Sequence, residues 1–132
     1  MKLEDQVVSL ELSKKLKELG FKQESLFTYV DEDVVSWKLQ YTSNITDSTY
    51  EHFGDSYFIS AYTVAELGEE LPDYLDFPNR GGYAWLEIVK IDNAWCAMYR
   101  IGASKPEIEI EGKTLASAMA KMLIYLKKNK LI

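Results

Sequence analysis

Two alternating segments joined by a two-residue turn restrict the fold of this chain more than any other part of its sequence. Residues 83–91 and 94–101 alternate in side-chain character, and Asp92 and Asn93 between them tolerate the positive φ angles of a tight turn. A two-residue loop sets the register of its strands. The predicted pairs are Leu86–Tyr99, Ile88–Ala97 and Ala84–Ile101 on one face, and Trp85–Arg100 and Val89–Cys96 on the other. The second face is less apolar, so we expect it to be partly exposed.

A second hairpin is predicted nearer the N-terminus. Residues 26–30 are rich in β-branched and aromatic side chains, and residues 35–41 alternate between apolar and polar ones. The acidic triplet at 31–33 is predicted to be the turn between these strands. Residues 42–58 are polar and uneven, which indicates a long ordered loop or a weak strand pair.

Three segments have the apolar spacing of helices. They are predicted to start at the capping residues Ser9, Thr63 and Thr114, and to end at Gly20, Pro72 and about Lys128. The middle segment, YTVAELGEELP at residues 62–72, has the look of a functional signature. The residues of this segment have structural explanations, because Thr63 and Glu66 have the spacing of a capping box and Pro72 stops a helix.

The predicted order of elements is therefore αββαββα. We expect one α+β domain over residues 1–132, in which an antiparallel sheet of about four strands is covered by helices mainly on one face. The length of the chain is sufficient for a hydrophobic core without disulfides or structural metals.

The composition limits the location and the chemistry of the protein. A single cysteine, Cys96, permits no intrachain disulfide and no cysteine-based zinc cage, so we expect a reducing cytoplasm. The N-terminal residues carry charges where a signal peptide has an apolar stretch, and no segment has the ~18 apolar residues of a membrane span. We therefore expect no membrane association.

The charge is distributed unevenly along the chain. The net charge is −6, and residues 31–112 carry five basic and sixteen acidic side chains, whereas residues 113–132 carry five lysines and no acid. The middle of the chain would repel a phosphate backbone. Nucleic-acid binding is disfavoured overall by the net charge and is expected only at the C-terminal helix, through Lys121, Lys127, Lys128 and Lys130.

Two segments resemble ligand-binding motifs but have simpler explanations. Gly112-Lys113-Thr114 follows a strand and precedes a helix, as in a phosphate-binding loop, but the first glycine of that motif is replaced by Glu107. Alternating glutamates at 107, 109 and 111 could chelate a cation, although charges on an edge strand more often prevent aggregation. We expect no cofactor and no metal.

The candidate reactive residues do not combine into a set that could carry out catalysis. His52 is the sole histidine, which excludes a triad of imidazole ligands and a pair of histidines acting as acid and base. Ser48, Asp47 and Asp55 are near it in sequence, but nearness in a loop does not define a triad. Cys96 is predicted to be a small buried hydrophobe. We therefore expect a protein that is not an enzyme.

Aromatic residues are concentrated in the predicted sheet, where sixteen of the seventeen lie between residues 21 and 99. A platform that stacks nucleic-acid bases normally lies in a basic groove, and this region is acidic. Most of the aromatic residues are expected in the core, and the remainder are expected to bind a protein. The residues predicted to contact a partner are Tyr83, Trp85, Trp95 and Arg100.

Three pieces of the chain resemble parts of small proteins of unknown function that are encoded by phages and by prophage-like elements of bacteria. These pieces are SLELSKKLKELGFKQESLF, AYTVAELGEELP and ASAMAKMLIYLKKNKLI, about a third of the chain. The resemblance implies a genomic setting and no mechanism. We therefore expect an accessory protein that acts by binding a protein partner or itself, with nucleic-acid binding by the C-terminal lysines as the alternative.

Overall fold

The computed structural model describes residues 2–31 and 36–132. In this part of the chain there are five helices and seven strands. The helices are α1 (Leu3–Gln6), α2 (Leu10–Glu18), α3 (Asp47–Phe53), α4 (Val64–Glu70) and α5 (Leu115–Lys128). The strands are β1 (Phe27–Val30), β2 (Lys38–Tyr41), β3 (Phe58–Ala61), β4 (Tyr74–Phe77), β5 (Gly82–Ile91), β6 (Ala94–Arg100) and β7 (Ile108–Gly112).

The strands form two antiparallel sheets. One has three strands in the order β2-β1-β3, and the other has four in the order β4-β5-β6-β7. The predicted α+β class is confirmed. The two predicted hairpins lie in separate sheets rather than in one sheet of about four strands. The chain carries three strands more than the order αββαββα contains. Strands β3 and β4 were not predicted, and β7, in the segment of alternating glutamates, was expected to be a strand but was left out of that order.

The β5–β6 hairpin has the predicted register. Leu86 pairs with Tyr99, Ile88 with Ala97, Trp85 with Arg100 and Val89 with Cys96. The predicted Ala84–Ile101 pair lies beyond the end of the ladder, since β6 ends at Arg100. Asp92 and Asn93 have φ angles of 47° and 65°, which is the conformation that a two-residue hairpin turn requires.

The predicted N-terminal hairpin is present as the antiparallel pair β1–β2. Its strands are shorter than predicted. Most of its predicted turn and the first residue of its predicted second strand fall at positions 32–35, which lie outside the described residues.

The three predicted helices are confirmed at their N-termini. The side chains of Ser9, Thr63 and Thr114 accept hydrogen bonds from the backbone N–H groups of Leu12, Glu66 and Ser117, respectively. At α4 the capping box is complete, because the Glu66 carboxylate also accepts from the Thr63 N–H at 2.8 Å.

Residues 42–58 differ from the prediction of a loop or weak strand pair. The segment forms α3 between two 3₁₀ turns and then enters β3. Thr46 caps α3, and Gly54 ends it with a φ angle of 79°. The helix was missed because it is polar and short. Its aromatic residues pack locally, with the rings of Tyr50 and Phe58 at 4.3 Å.

The main core lies between α5 and one face of the four-stranded sheet. The buried side of α5 includes Met119, Met122, Leu123 and Leu126, and it packs on Ala97 and Tyr99 of β6. Helices α2 and α4 complete this core through Leu16 and Leu67. Helices thus cover the face of the sheet that carries Ala97 and Tyr99. The opposite face, which carries Trp85 and Arg100, is called the outer face here.

Candidate functional site

The outer face carries a cluster of aromatic side chains at the β4–β5 end of the sheet. Tyr74 of β4 lies directly opposite Trp85 of β5, and Tyr83 lies two residues before Trp85 on the same side of the strand. The ring of Tyr74 is 4.9 Å from the ring of Tyr83 and 5.1 Å from that of Trp85, measured between centroids. Tyr74, Tyr83 and Trp85 are called the aromatic cluster below.

The aromatic cluster is open to solvent. Tyr74 is 47% exposed, and Tyr83 and Trp85 are each 54% exposed. Isolated exposed apolar residues are common on proteins, but a contiguous patch marks a place where another molecule binds. The Tyr74 ring packs against both of the others, so the three form a continuous surface rather than a cage with space for a ligand between them.

Acidic groups lie on the outer face, one of them beside the aromatic cluster. Arg100, which pairs with Trp85 across the hairpin, forms a 3.0 Å ion pair with Glu87, so its charge is neutralised on the face itself. The register also places Asp76, Glu109 and Glu111 on the outer face. These carboxylates have no ion-pair partner among the described residues. The outer face is therefore negatively charged, with Asp76 beside the rings and Glu109 and Glu111 on β7 at the far edge of the sheet.

The centre of the outer face is closed by its own side chains. Cys96 and Met98 are 1% and 2% exposed. The Arg100 guanidinium lies over Met98, with 3.0 Å between Nη2 and Sδ, and its Nε is buried with no hydrogen-bond partner among the described residues. The face is thus partly exposed, as predicted, and its exposed part is the aromatic end.

The four residues predicted to contact a partner do not all lie together. Tyr83, Trp85 and Arg100 share the outer face, whereas Trp95 has the opposite orientation and packs against the main core. The ammonium of Lys90 lies 5.7 Å from the Trp95 ring. Sequence reasoning missed Tyr74, because β4 was not predicted and nothing else in the sequence places Tyr74 beside Trp85.

Trp95 lines a second apolar surface, a cleft of about 970 Å³ between the N-terminal segment and the starts of α4 and α5. Leu26 and Tyr41 at this cleft are 57% and 52% exposed. Its charged lining residues are Asp5 and Lys113, which have opposite signs. The volume is in the range of small-molecule sites, but the lining charges favour no one class of ligand.

The C-terminal lysines do not form one basic face. Lys121 donates to the Glu111 carbonyl at 3.3 Å, and Lys127 lies over the ring of Phe21 with 5.8 Å between the ammonium and the centroid. On a helix, Lys121 and Lys128 lie on the same side and Lys127 lies about a third of a turn away. Lys130 follows the end of α5.

The remaining candidate reactive residues, His52 and Cys96, lie in different environments, one exposed and one buried. His52 is exposed on α3 and packs edge-on against Phe53. Burial raises the pKa of the Cys96 thiol, and the nearby carboxylates of Glu111 and Glu109 raise it further, which disfavours the reactive thiolate. Within residues 2–31 and 36–132 there is no group of three or more acidic, histidine or cysteine side chains that could hold a metal ion.

The segments that resembled ligand-binding motifs have structural roles. Glu107 forms a 2.6 Å ion pair with Arg80, and its hydrogen bond raises the pKa of that guanidinium. A Cβ atom at Gly112 would lie 2.4 Å from the backbone nitrogen of Ala118 in α5. The glycine is therefore needed for the close approach of β7 and α5, whatever ligand is present.

None of the helices in the described part of the chain has both the length and the apolar character needed to cross a bilayer. Comparisons with protein-family models, with curated proteins and with solved structures found no match to this chain. The function is therefore inferred from the geometry of the chain itself.

Proposed function

We propose that this chain is a non-enzymatic accessory protein that binds a second protein through the outer face of its four-stranded sheet. The observation that carries the proposal is the aromatic cluster, in which the Tyr74 ring packs against two others and all three are about half exposed. Tyrosine and tryptophan are enriched where proteins bind one another, because their rings bury a large area and lose little conformational freedom.

The charge of the face defines the kind of partner. With Arg100 neutralised by Glu87, the carboxylates of Asp76, beside the rings, and of Glu109 and Glu111, on the far strand β7, leave the outer face acidic. A partner surface with arginine or lysine would be attracted to this face. Its guanidinium or ammonium groups could also stack on the exposed rings. We therefore propose a basic protein partner.

The setting of the protein is part of the proposal. A phage or prophage origin is supported by the resemblance of both ends and the middle helix to proteins of that kind. A cytoplasmic location is supported by the single cysteine, Cys96, which is buried. Both remain proposals.

Nucleic-acid binding through Lys121, Lys127, Lys128 and Lys130 is the alternative, and it has less support. Two of these ammonium groups already interact within the chain, and the acidic strand β7 lies beside α5. Phosphate contacts would make the affinity for DNA fall steeply as salt increases. A gel-shift titration in low and high salt tests this alternative. Binding that is absent at low salt would eliminate it.

A capped hexapeptide with alternating arginine and valine, labelled with a fluorophore, is a suitable probe for the principal proposal. Fluorescence anisotropy would measure its affinity for the wild-type protein and for the variant Trp85→Ser. We expect at least a roughly tenfold loss of affinity in the variant, because one ring of the cluster is removed. Trp85 is 54% exposed, so its replacement should leave the core intact.

The matched control is Tyr125→Ser, which removes a 40% exposed aromatic side chain from α5, away from the outer face. It should bind the arginine peptide like the wild type. A hexapeptide with glutamate in place of arginine should not bind, because it has the charge of the outer face itself. The proposal is contradicted if the arginine peptide fails to bind, or if Trp85→Ser binds it as tightly as Tyr125→Ser does.

A further inference from the structure

The edge strand β4 brings a row of backbone groups to the aromatic cluster. The N–H of Leu86 in β5 donates to the carbonyl of Asp73 at 2.9 Å, which directs the backbone of Asp73 toward β5. In an antiparallel ladder the direction alternates from residue to residue. Leu75 and Phe77 therefore also face β5, and the N–H and C=O groups of Tyr74 and Asp76 face away from it.

These outward groups have no hydrogen-bond partner among the described residues. Strand β4 pairs with β5 alone, and Tyr74 and Asp76 are both exposed. An open edge of this kind is a template for another strand. The two residues each offer one donor and one acceptor to such a strand.

The outer edge of β3 shows how this fold closes an edge. The Gln23 side chain accepts from the N–H of Ser60 at 2.9 Å, and Lys17 donates to the carbonyl of Phe58 at 2.7 Å. Along that edge side chains replace a neighbouring strand. The described residues provide no such cover for β4.

From these observations we infer that the partner binds as an extended basic segment that adds antiparallel to β4 as a fifth strand of the sheet. The inference rests on the proposed function, and it specifies how the outer face is used. Residues directly opposite in an antiparallel pair lie on the same face. The partner residues opposite Tyr74 and Asp76 would therefore place their side chains on the outer face.

The chemistry of those positions favours arginine in the partner. A guanidinium opposite Asp76 would form a cross-strand ion pair, and one opposite Tyr74 would stack on its ring. The residues between them would lie on the side of Leu75 and Phe77, which is apolar. Alternation of arginine with an apolar residue is thus the pattern that fits β4. All ladders described in this protein are antiparallel, which is the orientation assigned to the added strand.

Methylation of peptide nitrogens tests the inference without changing the protein. In the arginine–valine hexapeptide, the arginines would lie opposite Tyr74 and Asp76, so their N–H groups would bond to β4. The valine N–H groups would point away from it. One peptide is therefore made with N-methylated arginines and a second with N-methylated valines, both labelled as the unmodified peptide is.

We expect methylation of the arginines to weaken binding at least roughly tenfold, and methylation of the valines to leave it within about twofold. Amide exchange at Tyr74 and Asp76 should slow when the unmodified peptide is added. Equal binding of the two methylated peptides would overturn strand addition, and a loss confined to the valine-methylated peptide would overturn the antiparallel orientation.

The experiment separates this inference from the proposed function. If the unmodified peptide does not bind, or binds Trp85→Ser unchanged, the outer face itself is not the binding surface. If it binds with the expected dependence on Trp85 but is insensitive to methylation, only the added strand is wrong. A dimer in sedimentation velocity, with the Tyr74 and Asp76 amides protected before any peptide is added, would show that a second copy occupies the edge and would also overturn the inference.

Discussion

Glu66 shows how one side chain can stabilise both a helix and a contact between distant segments. Its Oε2 atom accepts from the N–H and the hydroxyl of Thr63, which caps α4. Its Oε1 atom accepts from the N–H of Leu26, 40 residues away, at 2.7 Å. The capping box could be predicted from the spacing of Thr63 and Glu66. The bond to Leu26 could not, because it depends on how β1 and α4 meet.

Glu66→Gln should destabilise the protein by about 1–2 kcal/mol. The glutamine side chain has only one acceptor oxygen. Its NH₂ group would face the N–H of Leu26 or of Thr63, which donates to the carboxylate in the wild type. Urea unfolding followed by circular dichroism measures the change in free energy. The control is Glu69→Gln, because Glu69 lies on the same helix, is exposed and has no ion pair in the described structure. Equal stability of the two variants would show that the three hydrogen bonds have little effect.

At the scale of elements, the close contact between β7 and α5 explains why a glycine lies just before the last helix. In the sequence, Gly112 resembles part of a phosphate-binding loop. In the structure, the site of its absent Cβ is 2.4 Å from the Ala118 nitrogen and 2.8 Å from the Ala118 Cα. These are backbone atoms, so a side chain at position 112 forces the strand or the helix to move.

Two substitutions of glycine by alanine should therefore have opposite effects. Gly112→Ala should destabilise the protein by roughly 1–3 kcal/mol, as overpacking of a core does. Gly68→Ala should be neutral or stabilise by up to about 1 kcal/mol, since a Cβ there meets Met119 Cε at an ordinary 3.7 Å and alanine favours α4. Thermal unfolding of both variants gives the comparison. A stable Gly112→Ala variant would contradict the close approach of β7 and α5.

The success of prediction differed between kinds of element, for physical reasons. The β5–β6 hairpin was predictable in detail because its turn chemistry and its alternation agree over a long stretch. Strand β3 is buried at all four positions and so shows no alternation, and β4 lies between Pro72 and Pro78, in a segment with turn signals. Of the candidate site, Tyr83, Trp85 and Arg100 followed from the hairpin register. Tyr74 and the open edge belong to the site only because β4 lies next to β5, and no local sequence pattern predicts that neighbour.

At the scale of the whole molecule, two buried tyrosines link folding to alkaline pH. Tyr62 and Tyr99 are 2% and 0% exposed, and the Tyr99 hydroxyl donates to the Pro72 carbonyl at 2.7 Å. Burial raises the pKa of Tyr62 to about 12, with smaller contributions from nearby glutamates. Burial also raises the pKa of Tyr99, and Asp73 adds to the effect.

Stability should therefore fall as pH rises above 10. Near pH 10 a tyrosine in the unfolded chain begins to lose its proton, while the same tyrosine in the folded protein keeps it. The unfolded state then binds fewer protons, so the free energy of unfolding decreases by up to about 1.4 kcal/mol per pH unit for each tyrosine. The stabilisation is complete below pH 10 and is lost toward pH 12 for Tyr62.

The variant Tyr99→Phe isolates this effect. It should be less stable than the wild type at neutral pH, because the Pro72 carbonyl loses its donor, but its stability should depend less on pH above 10. Urea unfolding in buffers between about pH 8 and 11 measures both. Parallel curves for the variant and the wild type would show that the Tyr99 hydroxyl does not titrate differently in the two states.

Site-specific photo-cross-linking in the cells that produce the protein tests the binding role of the outer face most directly. Benzoylphenylalanine is placed at position 85, in the aromatic cluster, and separately at position 125 on α5. We predict a discrete adduct with a basic protein from position 85 and none from position 125. The purified partner should bind the wild-type chain and lose affinity for Trp85→Ser. No adduct from position 85, or the same adduct from both positions, would contradict the proposed role of the outer face.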